Sequence, residues 1–284
     1  MKLHNSAAQI FVPDGRPITA ALKRITHLGI GAHPDDLEFM AFQGICAGYA
    51  GQGKWFGGVT CTDGAGSPRA GAYQAYTNPQ MRLARRREQN VAAAVGHYGV
   101  MIQLDYPGSA THCPAAELRG DLKNILAATQ PEVVYTHNLA DKHDVHVAVA
   151  VTALQAMREL PRQRRPKRVI GCEVWRNLDW LPDAARAVMN VSGHDHLAAA
   201  LNGAFDSQIA GGKRYDLATL GRRAANATFS EPHATDGATQ LMLGMDLTPL
   251  VTDETKDIVE YVCTLVEQMK AEVRDQLNRQ FDRV

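Results

Sequence analysis

Two short stretches of this chain collect residue types that hold metals and move protons. The first is GIGAHPDDLEF, Gly29 to Phe39, with His33, Asp35 and Asp36; the second is THNLADKHDVHVAVAV, Thr136 to Val151, with Asp141, His143, Asp144 and His146. Imidazole and carboxylate are both good zinc ligands. His33 and Asp36 stand three apart across a turn and can point at one centre, and Asp35 between them is close enough to reach a water held there. Taken alone, this stretch reads equally well as a helix cap, Asp35, beside a hydrogen-bonded surface histidine. The second stretch tips the comparison. His143 and His146, three apart, share one face of a helical turn, and Asp141 and Asp144 flank them where a carboxylate can orient an imidazole through its second nitrogen. Two ligands from the first cluster and one from the second leave a fourth corner for water, which is the arrangement of a catalytic zinc and not of a structural one. A dinucleotide-binding turn is the competing reading of Gly29 and Gly31. It fails because Pro34 occupies the third glycine position and two carboxylates follow where pyrophosphate needs open N–H groups.

Both clusters must sit where strands end and helices begin. Strands are expected over Thr26 to Ala32, Trp55 to Thr62, Val100 to Leu104, Glu132 to Thr136 and Arg168 to Trp175. Helices are expected over Leu37 to Ala50, Asn78 to Tyr98 with Pro79 in its first turn, Ala115 to Thr129 and Asp144 to Leu160. Strands alternating with crossover helices predict an α/β fold: a Rossmann-like, mostly parallel sheet of about five or more strands flanked by helices. In such sheets ligands bind outside the carboxyl ends of the strands, where both clusters fall. After Asp179 the pattern turns largely helical, about Asp195 to Phe205, about Leu217 to Asn226 and from Asp253 onward. With no linker-like break, residues 1–284 are expected to form one domain, a core over about 24–182 with a largely helical C-terminal extension over about 183–284.

The whole chain has 284 residues and 30 basic against 30 acidic side chains, so its formal charge is zero. That balance removes the usual electrostatic case for nucleic acid or an anionic membrane as partner. The basic run Pro161 to Arg168 has no interleaved aromatics and is expected to be a solvated loop. Cys46, Cys61, Cys113, Cys172 and Cys263 are scattered and form no C-x-x-C pair, so reduced, mostly buried thiols are expected. The N-terminus lacks the apolar run of a signal peptide and no segment has the apolar length of a membrane span, so a cytoplasmic location is expected. A homo-oligomer is left open. His27, His97, His112, His194, His196 and His233 have no comparable context and are expected in surface or core roles, with Asp195 as a cap candidate.

The A-H-P-D-D-x-E segment, the T-D-G at Thr62 to Gly64, the R-x-x-E ending at Glu88 and the later H-x-x-H together resemble the PIG-L/LmbE-like zinc-dependent de-N-acetylases. The resemblance covers roughly Thr26 to Trp180, plus FDSQI at Phe205. It implies His33, Asp36 and His146 as ligands of one zinc per chain, other divalent metals being possible. It implies Asp35 as the base that takes a proton from water, and His143 as the group that stabilises the oxyanion or helps protonate the leaving amine. It also implies Asp63 and Arg85 as substrate contacts, the register of Arg85 among Arg85, Arg86 and Arg87 resting on Glu88. The family's H-P-D-H is H-D-V-H here, which leaves open whether Asp141 or Asp144 tunes His143. The segment Leu104 to Gly108 lacks an aspartate that relatives often carry.

The expected activity is removal of an N-acyl group, acetyl by preference, from a small amino-sugar such as an N-acetylglucosamine derivative. Zinc would bring the pKa of water towards neutrality, and Asp35 would complete its deprotonation. Trp175, Arg176 and Asp179, after the fifth strand, are placed to contact a polyhydroxylated ligand, the alternative being that Trp175 and Trp180 are packing aromatics. Two other readings use the same site: a hydratase or lyase acting on an unsaturated carboxylate, which needs several cations in the pocket, and a catalytically idle binding protein, which has no need of Asp35.

Overall fold

The computed structural model describes residues 1–111 and 115–281; His112 and Cys113 lie outside the described residues. In chain order the strands are β1 (Gln9–Phe11), β2 (His27–Gly31), β3 (Phe56–Thr62), β4 (Val100–Tyr106), β5 (Val133–His137), β6 (Arg168–Cys172), β7 (Arg186–Asn190) and β8 (Leu241–Asp246). The α-helices are α1 (Ile18–Lys23), α2 (Asp36–Met40), α3 (Phe42–Tyr49), α4 (Asn78–Val95), α5 (Ala116–Thr129), α6 (Asp144–Arg158), α7 (Asp195–Gly203), α8 (Asp206–Ile209), α9 (Tyr215–Thr228), α10 (Thr248–Thr252) and α11 (Ile258–Phe281).

All eight strands form one sheet in the order β1-β4-β3-β2-β5-β6-β8-β7. The run from β4 to β6 is parallel, and β1, β8 and β7 join antiparallel. The sheet is therefore mixed, and the region after residue 183, largely helical as expected, also supplies β7 and β8 to it. Both strands are short, and β7 alternates buried and exposed residues at an edge, a pattern easily lost among flanking helices. The central strands carry near-continuous burial, as expected of strands covered on both faces. One core layer holds Leu28, Ile30, Leu122 and Leu154; the other holds Leu37, Phe42, Phe56 and Tyr135.

Glycine lets the second layer close. A Cβ at Gly44 would stand 2.5 Å from a ring carbon of Tyr135, so only a bare backbone allows α3 to lie this near the sheet. The helix expected over Leu37 to Ala50 is broken at Ala41 into α2 and α3. Helix α4 opens with a capping box: Gln80 N–H donates to Thr77 Oγ1 at 3.4 Å, and Thr77 N–H donates to Gln80 Oε1 at 2.8 Å. His194, not Asp195, takes the cap position of α7, and Asp195 binds Gln240 instead. Cys46, Cys61, Cys172 and Cys263 are free, the first three buried. Among the described residues no helix is long and apolar enough to cross a membrane.

Candidate metal-dependent active site

Strands β2 and β5 are parallel neighbours, with Gly29 opposite Tyr135, so the loops leaving their carboxyl ends emerge side by side. The first loop carries His33 to Asp35 into α2, and the second carries Asn138 to His143 into α6. His33 Nδ1 lies 3.2 Å from His146 Nε2 and 3.2 Å from Asp36 Oδ2, and Asp36 Oδ1 lies 3.4 Å from His146 Nε2. Ligands held at about 2.0–2.2 Å in tetrahedral geometry stand about 3.3–3.6 Å from one another. These residues could hold a small divalent cation: two imidazole nitrogens stand 3.2 Å apart, and the Asp36 carboxylate reaches one with each of its oxygens.

The electrostatics fit as well. Burial alone would push Asp36 up, but His146 and His137, with hydrogen bonds from the imidazoles, hold its carboxyl well below the usual range. Asp35, one residue earlier, goes the other way. Burial pushes it well up, the Arg85 guanidinium pulls against this, and the Asp36 carboxylate adds to the rise. Asp35 occupies the N-cap position of α2 at φ 102°, yet its side chain makes no capping hydrogen bond. Its Oδ1 instead lies 3.1 Å from Arg85 Nη2, while its backbone N–H donates to Gln89 Oε1 at 3.1 Å. A left-handed backbone at a non-glycine residue persists only when its surroundings hold it. Here α4 does the holding, through two residues one turn apart.

His143 stacks on His146 with ring centroids 4.5 Å apart and faces His33 edge-on at 5.0 Å. Burial pushes its pKa down, and His146 and His33 push the same way, so the ring is neutral at pH 7. Asp141 supports the loop: Oδ1 accepts from His143 N–H at 3.1 Å, Oδ2 from Trp175 N–H at 3.2 Å, and Oδ2 lies 3.7 Å from His146 Nδ1. Asp141 thus stands behind His146 and not behind the His143 ring, whose Nδ1 has no hydrogen-bond partner among the described residues. Asp144 is exposed at the start of α6.

A cavity of about 660 Å³ opens onto these groups; His33, Asp35, Asp36, Asp63, Arg85, His143, His146 and Trp175 all line it. Arg176 and Asp179 are not among its lining residues. Arg176 is exposed and donates to Ala140 O, bracing the second loop, and Asp179 is exposed, its carbonyl accepting from Arg186. Arg85 is 4% exposed, and its guanidinium is engaged by Asp35, Pro34 O and Gly64 O. Two features were not foreseen. His137, at the end of β5, packs its ring 3.8 Å from that of His146. Its Nε2 lies 3.4 Å from Asp36 Oδ2, but that nitrogen already accepts from Ala32 N–H at 2.9 Å, and burial pushes the ring down to about 4. It is a neutral support under His146, not a fourth ligand. Its strand-end position was the available signal. The second feature is the far wall, built from Tyr215, Ala218, Thr219, Arg222 and Arg223 on one face of α9.

The molecule is thus an α/β protein with a parallel-centred sheet and, at its carboxyl edge, histidine–aspartate groups that could hold a metal ion. Residues 28–157 match the PIG-L family, described as GlcNAc-PI de-N-acetylase. No curated protein sequence matches significantly. Among solved structures, the chain is similar to 4-carboxy-2-hydroxymuconate hydratase GalB from Pseudomonas putida, with TM-score 0.62 and 19% identity over 81% of this chain and 98% of that one. N,N'-diacetylchitobiose deacetylase from Pyrococcus horikoshii gives TM-score 0.59 and 17% identity over 82% of this chain and 87% of that one. The zinc-inhibited form of a teicoplanin deacetylase gives TM-score 0.58 and 17% identity over 78% and 97%. At these identities the structural likeness speaks to the fold.

Proposed function

We propose that the protein is a metal-dependent hydrolase that removes an N-acyl group, acetyl by preference, from a small amino-sugar or sugar conjugate, with zinc as the metal. The observation that carries this reading is the gathering of His33, Asp36 and His146 within hydrogen-bond distance of one another, with Asp35 beside them, at an edge open to a cavity large enough for a sugar. The PIG-L match and the similarity to deacetylases support it.

His33, Asp36 and His146 would hold a divalent cation, which would supply Lewis-acid activation of water and of the amide carbonyl. Asp35 would accept a proton from water; the Arg85 contact fixes its carboxyl group and opposes the rise that burial imposes on it. His143, as a neutral ring, donates an N–H to the carbonyl oxygen as negative charge builds there. The proton that the departing nitrogen needs then comes from Asp35, the group that has just received one. Gly64 O and Pro34 O hold Arg85, so the base and its partner are set before substrate arrives.

Replacing Asp35 with Ala tests the reading. Acetate release from N-acetylglucosamine derivatives should be abolished while metal content, read by elemental analysis, stays at one ion per chain. Unchanged turnover, or loss of the metal, counts against it. The hydratase alternative is separated by the same assay, since it releases no acetate and instead consumes an unsaturated carboxylate.

A further inference from the structure

The far wall of the cavity carries cations that the hydrolytic chemistry does not use. Lys213 lines the cavity just before α9, and Arg222 lines it from the helix face that also presents Tyr215 and Thr219. Neither side chain forms an ion pair among the described residues. The contrast with their neighbour is direct: Arg214, one residue along and outside the cavity lining, has its own carboxylate in Asp216 at 2.8 Å. Arg222 is held only by a backbone acceptor, Val174 O. Lys213 Nζ stands 5.3 Å above the Trp175 ring. The nearby wall carboxylate, Glu173, is committed elsewhere, to Asn226 Nδ2, Leu243 N–H and Leu178 N–H. Arg223, deeper in, donates to Glu38 O at 2.9 Å and Phe39 O at 3.2 Å, so it serves the fold.

Trp175 stands close to several of these groups. The Trp175 ring lies 6.4 Å from the His143 ring and 6.3 Å from the Tyr215 ring, which it meets edge-on. A ring-sized body beside Trp175 therefore lies near both the His143 ring and the Lys213 ammonium. Burial raises the Glu173 pKa and Arg222 is near enough to lower it, but the two form no ion pair. Two half-buried cations without ion-pair partners among the described residues, in a concave, partly desolvated wall, attract an anion more strongly than they would on an open surface.

We propose that Lys213 and Arg222 form an oxyanion subsite, so that the substrate carries a phosphate or carboxylate in addition to the acyl nitrogen. This rests on the hydrolase reading for the position of that nitrogen, but the subsite itself can be tested without hydrolysis.

Two measurements together decide it. In the first, turnover of N-acetylglucosamine is compared with that of its 1-phosphate, its 6-phosphate and N-acetylmuramic acid, in the wild-type protein and in Lys213→Gln and Arg222→Gln. The wild type should favour an anionic member by tenfold or more in kcat/KM. Each variant should raise KM for that member by about tenfold with kcat little changed, a loss much larger than any for the neutral sugar. In the second, binding of glucose 1-phosphate and glucose 6-phosphate, which have no amide, is followed by calorimetry. One of them should bind the wild type and weaken in both variants. Binding that survives in both variants places the phosphate on the metal and overturns the subsite, as does equal turnover of neutral and charged sugars. If a glucose phosphate binds through Lys213 and Arg222 but no N-acetyl sugar is hydrolysed, the subsite stands and the hydrolase reading falls. Thermal melting of both variants checks that they fold.

Discussion

Arg82, Arg85 and Arg86 sit within five residues on α4 and do different work. Arg82 and Arg86, one turn apart, both pair with Asp105 at the end of β4, whereas Arg85 turns inward to Asp35. Arg85 is thus a positioning residue for the proposed base more than a free substrate contact. Arg85→Ala should lower kcat by about a hundredfold, the scale of loss when a reacting group shifts by about 1 Å, with a smaller change in KM. Arg86→Ala, measured alongside, should leave kcat near wild type. His143 gives a second test at this scale. Its pKa is displaced downwards by burial and by two neighbouring histidines. Any break that His143 gives in a pH profile of kcat should therefore fall below the ordinary histidine value of about 6.5. Histidine-to-glutamine replacement, which keeps an N–H donor that does not titrate, should retain more activity than His143→Ala.

At the scale of elements, the site depends on how closely α3 and α4 approach the sheet. Gly44→Ala places a methyl against Tyr135 and should cost about 1–3 kcal/mol in chemical denaturation. Thr77→Ala removes half of the capping box of α4 and should cost about 1 kcal/mol. Glu88 accepts from Ser207 N–H and Oγ–H at 2.6 Å each, which ties α4 to the start of α8 and explains why R-x-x-E and FDSQI occur together here. Strand ends and helix starts were legible because burial runs and turn residues mark them locally. The role of α9 was not. Its inward face is Tyr, Ala, Thr and two Arg, which carries no apolar periodicity pointing to a wall. Arg176 and Asp179 were drawn to the site by nearness to Trp175 in sequence, but the chain turns after Trp175 and leaves both in solvent.

For the whole molecule, the single sheet bears on domain organisation. Strand β8 lies between β6 and β7, and α9, which closes the cavity, comes between β7 and β8 in the chain. The region after residue 183 is therefore built into the core that carries the site. Hydrogen exchange should show β6, β7 and β8 protected to a similar degree and lost together in denaturant, whereas a separable C-terminal unit would exchange on its own schedule. The histidine–aspartate cluster was legible because its members sit within a few residues of two strand ends. The mixed sheet was not, since antiparallel edge strands arrive by long detours that leave no local trace.

The insertion of β8 also sets a timetable for synthesis. A nascent chain that has left the ribosome as far as β7 holds the whole of the PIG-L-matched segment, yet β6 still shows an open row of amide and carbonyl groups, and β7 has nothing to pair with. Both needs are met by the same six residues, Leu241–Asp246, emerging roughly fifty positions later. Throughout that interval the growing polypeptide presents a sticky margin next to an unfinished catalytic pocket, and it is there that a chaperone would have most to do.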